Sequence, residues 1–121
     1  MVLDADVVIR YLTNDDKEKA DRFERFLNSG KQVVLLDVTI AEVYWTLSSY
    51  YKFGKPKVIK TLDALINHSA TECNLAVWQM VWEFLRTNNK TSLIDGYCAV
   101  RSLVDGDGKI MSFDKGFDSL A

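Results

Sequence analysis

Four carboxylates occupy comparable places along the chain: Asp4 follows the apolar run Met1-Val2-Leu3, Glu42 and Asp95 stand where helical patterns begin, and Asp114 follows Ile110-Met111-Ser112-Phe113. In a parallel sheet with right-handed crossovers, strand C-termini and the helix starts that follow them share one edge. Acids far apart in sequence can therefore meet there. Each acid singly has a plainer use as a helix cap. Asp4 or Asp6 can serve the first helix, Glu42 completes a Thr39-Ile40-Ala41-Glu42 capping box, Asp95 stands three residues after Ser92, and Asp114 precedes a terminal helix over 115–120. Capping explains the helix starts without explaining so much negative charge on one sheet edge. Gathered carboxylates repel one another unless a cation offsets them, which suggests a divalent metal. Mg²⁺ or Mn²⁺ fits, since both take hard oxygen ligands and share them with water and phosphate. Water activation beside an ion that offsets charge on phosphorus oxygens is the chemistry of phosphodiester hydrolysis.

The elements that must position these acids follow from apolar periodicity. Met1 to Leu3 forms a short strand and Ala5 to Leu12 a helix, with Thr13-Asn14-Asp15-Asp16 as break and cap. Ala20, Phe23, Phe26 and Leu27 share one face of a second helix ending near Ser29-Gly30, and its many charges form a solvated face. Val33-Val34-Leu35-Leu36 predicts a parallel strand covered on both sides. From Thr39 a helix runs towards Gly54, and Pro56 restarts another with Val58, Ile59, Leu62, Leu65 and Ile66 inside, making an αα-hairpin. Ser69 to Cys73 is a short strand, and Asn74 caps a helix carrying Trp78 and Trp82. Ser92 opens the next helix, and Lys109 to Phe113 is a last strand stopping at Asp114. The expectation is one alternating α/β domain over 1–121 around a mostly parallel sheet.

Composition sets the class. A hydrophobic fraction of 48% and a charged fraction of 26% are those of an ordinary globular domain. Cys73 and Cys98 lack metal-site spacing, and no secretory h-region or bilayer-length apolar run occurs, so free thiols in the cytoplasm and no membrane association are expected. The net charge of −2 gives no general attraction for nucleic acid, yet 12 Asp stand against 5 Glu. That bias suits caps, turns or a hard-metal site.

Taken together, hydrophobic-Asp4-x-x-Val7-hydrophobic-x-x-Tyr11-Leu12, Glu42-Val43-x-Trp45-x-Leu47, Asp95-x-x-x-Ala99 and Ser112-Phe113-Asp114-Lys115 resemble the PIN-domain ribonucleases, in particular the VapC-type toxins of VapBC toxin–antitoxin pairs. No single motif is specific, but their order and separation are. The resemblance implies a three-layer α/β/α sandwich and a Mg²⁺- or Mn²⁺-dependent endoribonuclease acting as a homodimer and held by a cognate antitoxin. It also implies that Asp4 and Asp95 are the most direct metal ligands. Glu42 would hold or deprotonate a water, Asp114 would act directly or through a second metal or water, and Ser112 would steady the pocket by hydrogen bonding, close to the substrate. Where relatives commonly carry Asn, this chain has Asp6, which could join the metal shell or cap the helix.

Two other readings compete. Asp4-Ala5-Asp6 after a strand also resembles haloacid-dehalogenase-type phosphatases, with Asp4 as nucleophile, but that leaves Glu42 and Asp95 without a role. A PIN-like module could also bind RNA or protein without cutting. Beyond the acids, Arg10 either contacts a scissile phosphate or pairs with an acid. Lys52, Lys55, Lys57 and Lys60, preceded by Tyr50 and Tyr51, either guide RNA towards the acids or form a solvated hairpin edge. Tyr44, Trp45, Trp78 and Trp82 are expected in the core or a dimer interface rather than in a stacking platform. His68, near a helix end, is expected as a C-terminal cap.

Overall fold

A computed structural model describes residues 1–113, and the chain divides into two compact units, Met1–Leu75 and Ala76–Ala121. The first unit opens with α1 (Ala5–Thr13) and α2 (Lys17–Leu27), passes through β1 (Val33–Val34), α3 (Asp37–Ser49) and α4 (Lys55–Ile66), and reaches β2 (Thr71–Glu72). Residues α5 (Leu75–Thr87) and α6 (Leu93–Asp105) follow.

The sheet of the first unit is short and parallel. β1 pairs with β2 in the register Val33 to Thr71 and Val34 to Glu72, and on its other side Val2 bridges Val34, again in parallel. Backbone bonds from Val34 N to Met1 O (2.7 Å) and from Leu3 N to Val34 O (2.9 Å) hold the N-terminal segment there. The strand expected over Val33 to Leu36 thus covers only its first half, because Leu36 already serves as the cap residue of α3.

Helices cover this sheet through their apolar stripes. α1 packs on α2 and α3, and α3 on α4. Val8, Ile40, Val43, Leu47, Val58 and Leu62 are all fully buried. Each such side chain contributes about 1.5–3 kcal/mol by leaving water. Gly30 has φ +85°, a left-handed conformation that glycine adopts freely, and lies in the turn just beyond α2, whose C-cap is Asn28. In the second unit Trp78 and Trp82 are each 1% exposed, and Trp78 stacks on Tyr97 with centroids 5.3 Å apart. Gly96 lets α6 approach α5, since a Cβ there would stand 3.3 Å from Leu85 Cδ2.

Two expectations are corrected. The Thr39 to Glu42 capping box does not start α3: the helix begins at Asp37, so Thr39 is buried inside its first turn and Glu42 falls in the second. An acid at the first helical position suits the positive end of the helix dipole, and that outweighs the box. Lys109 to Phe113 is not a strand. Met111 and Phe113 are fully exposed, and apolar side chains left in solvent gain nothing from a ladder. Among the described residues no helix is long and apolar enough to cross a membrane.

Candidate active site

Because the three extended segments run parallel, their C-terminal ends share one edge. Leu3 leads to Asp4, β1 to Asp37 and β2 to Asn74. Asp4 is the N-cap residue of α1, with φ −85° and ψ 148°, yet its side chain makes no capping hydrogen bond. It is exposed, and among the described residues it enters no ion pair. Asp6, in the first turn of the helix, is engaged: Arg10 Nε, four residues on, donates to its Oδ2 at 3.1 Å. That pair faces an open hollow between α1 and α2, lined by Val7, Lys19, Arg22, Phe23 and Phe26.

Glu42 lies on the exposed face of α3, opposite Ile40, Val43 and Leu47. Val38, four residues before it, and Trp45, three after, share that face. Trp45 is 67% exposed, so of its two expected places, core or dimer interface, the core is ruled out. Asp95 belongs to the second unit. It is half-buried in the first turn of α6, where its backbone N–H donates to the Ser92 hydroxyl at 3.2 Å, so Ser92 caps this helix as expected. Ser112 is exposed, and Asp114 lies outside the described residues.

Asp37 was not singled out by sequence, although it ends an apolar run just as Asp4 does. Its carboxylate accepts from Asn74 Nδ2 at 3.3 and 3.2 Å, tying the ends of β1 and β2 together. Beside this pair, burial first and the charge of Asp37 second push the Cys73 thiol pKa up. The pair borders an open hollow of about 450 Å³ lined also by Leu36, Val38 and Glu72. Both cysteines are free thiols. His68 does not cap α4 with its ring. Its Nδ1 accepts from Ala70 N at 3.0 Å, and Asn67 Nδ2 reaches the Asp63 carbonyl at 2.8 Å instead.

Among the described residues no three His, Cys, Asp or Glu side chains form a group that could hold a metal ion. Of the predicted acids, Asp4 and Glu42 belong to one unit and Asp95 to the other. The donor chemistry of Asp4 and Glu42 nevertheless suits Mg²⁺ or Mn²⁺, since both offer exposed carboxylate oxygens.

The family model for the PIN domain matches residues 1–121. The chain belongs to the PIN-domain family. PIN domains are α/β folds, in keeping with the helices and parallel strands seen here, and are generally metal-dependent nucleases that act on RNA. No curated protein matched the sequence of this PIN domain.

Proposed function

We infer that this PIN domain is a Mg²⁺- or Mn²⁺-dependent endoribonuclease in which Asp4, Glu42, Asp95 and Asp114 form the acidic pocket. Its biological role is that of a cytoplasmic, homodimeric toxin neutralised by a cognate antitoxin. The toxin role is supported by the likeness in motif order and spacing, and the nuclease role by family membership. The observation that carries the catalytic reading is Asp4. A carboxylate ending a parallel segment, exposed, without a capping bond or an ion pair among the described residues, is left available to an external cation. Asp4 and Asp95 are the proposed direct ligands, with Glu42 orienting or deprotonating the attacking water and Asp114 completing the negative charge. A bound divalent ion would supply Lewis acidity towards the phosphate and lower the pKa of water. Ser92 fixes the backbone that carries Asp95, and Asp6 holds Arg10, a candidate phosphate contact, along α1. Ser112 is the other proposed substrate contact.

The phosphatase reading has no comparable support. The test is cleavage of total RNA with and without Mg²⁺ or Mn²⁺, by wild type and by Asp95→Asn. Cleavage that needs the ion and is lost by at least about 100-fold in the variant is expected, because changing even an outer-shell partner of a metal costs about 10–100-fold. Unchanged cleavage by Asp95→Asn would leave a module that binds without this catalytic pocket, and a phosphorylated Asp4 would favour the phosphatase.

A further inference from the structure

The surface that leads away from Glu42 is basic and aromatic in a chain that is otherwise acidic. Residues 43–62 hold Lys52, Lys55, Lys57 and Lys60 and no Asp or Glu, within a protein of net charge −2. Lys52, Lys57 and Lys60 are exposed, and among the described residues none of these three is drawn into an ion pair. Lys55 and Lys57 sit in the first turn of α4, where no acid is present. That placement opposes the helix dipole, which favours anions there, so the fold tolerates positive charge at a positive helix end. Local rules of this kind are broken mainly where function requires it.

Aromatic rings accompany the lysines. Trp45 is 67% and Tyr50 76% exposed. Tyr50 meets Tyr51 edge-on at 5.0 Å, and Lys57 Nζ stands 4.0 Å from the Phe53 ring centroid. The hairpin tip is anchored, since the Tyr51 hydroxyl donates to Asp15 Oδ2 at 2.8 Å and Phe53 N to Leu47 O at 2.9 Å. Glu42 and Trp45 share a face of α3, and the helical rise puts Tyr50 about 12 Å along the axis from Glu42. Exposed rings interleaved with lysines are how proteins hold single strands: the bases stack and the phosphates meet the cations.

The geometry points to this strip, from Trp45 through Tyr50 to Lys52, Lys57 and Lys60, as the track that holds single-stranded RNA running away from the cleavage site. Charge complementarity selects the occupant, because a polyanion with exposed π-faces uses both the lysines and the rings. The inference rests on the nuclease reading and extends it to the form of the substrate. It concerns residues outside the acidic pocket, so the two can fail separately.

The test uses the full chain carrying Asp4→Asn, to suppress cleavage, and a fluorescein-labelled short single-stranded RNA of mixed sequence, followed by anisotropy across a salt series. Lys52→Gln/Lys57→Gln/Lys60→Gln should weaken binding roughly 10- to 100-fold and flatten the log–log salt slope by about 2. Trp45→Ala should weaken binding roughly 5- to 100-fold with the slope unchanged, because it removes stacking and no charge. All are surface changes, and circular dichroism melts should coincide with that of the parent. A duplex of the same sequence should bind less well than the single strand. Affinity within twofold of the parent in both variants overturns the inference, as does normal RNA binding with loss of self-association, which would make the strip a protein contact. If wild type cuts RNA while both variants bind normally, the track falls alone. If wild type cuts nothing while both variants lose binding, the track stands and the catalytic reading falls.

Discussion

α1 and α2 both begin on an aspartate in extended conformation, and the two aspartates behave differently. Asp16 accepts from Lys19 N at 3.2 Å and draws the Lys19 ammonium to 3.9 Å, so its charge is used by the helix it starts. Asp4 occupies the same cap position without that bond, at the end of a segment in the parallel sheet. A carboxylate at a helix start can satisfy the helix or meet something outside it. The contrast separates an acid used by its own helix from one that its helix does not use, although residue type and cap position are identical.

The largest effect expected from this contrast is on activity. Asp4→Asn should lower metal-dependent RNA cleavage by at least about 100-fold, more than changing a residue behind a ligand does. Its unfolding free energy should stay within about 0.5 kcal/mol of wild type, since no cap bond is lost. A fall in stability matching that of an ordinary cap deletion, read by urea denaturation, would erase the distinction. Asp16→Ala sharpens it from the other side. The cost should be about 1 kcal/mol of stability, with cleavage retained. A smaller effect belongs to Asp15, next to that cap. Its hydrogen bond from Tyr51 holds the carboxyl below its ordinary value of 3.8 and raises the phenol above 10.0. A depressed acid stabilises the fold above its unfolded pKa and ceases to as pH falls through the folded one. A raised phenol contributes below its unfolded pKa and ceases to as pH rises through the folded one. The bond therefore favours the fold between those limits and weakens outside them. In Tyr51→Phe, an NMR titration should show the Asp15 midpoint moving up towards the ordinary value.

Much of the fold was legible because local signals agreed with packing. Pro56 and the stripe Val58, Ile59, Leu62, Leu65 and Ile66 placed α4, and all five side chains are buried. Ser92 placed the start of α6. Legibility ended where two local signals competed or where tertiary cover decided. Thr39 and Glu42 spell a capping box, but Asp37 two residues earlier starts the helix. Trp45 could be core by type, yet it stands on the outer face of α3, opposite the buried Val43 and Leu47. Ile110, Met111 and Phe113 look like a strand, and only the exposure of Met111 and Phe113 shows otherwise. Of the acids proposed for the site, Asp4, Glu42 and Asp95 stand out in the sequence by type and spacing. Asp37 was not, because its partner Asn74 is 37 residues away and no periodicity links them.

The parallel order of the sheet has a consequence for how the protein is made. β1 receives Met1 to Leu3 on one side and Thr71 to Glu72 on the other, so its two neighbours come from opposite ends of the first unit. Long-range parallel pairings form slowly because the intervening chain must be closed first. During synthesis, β1 cannot acquire its second neighbour until Glu72 has cleared the ribosome tunnel. Until then Asp4 rests on a half-built support.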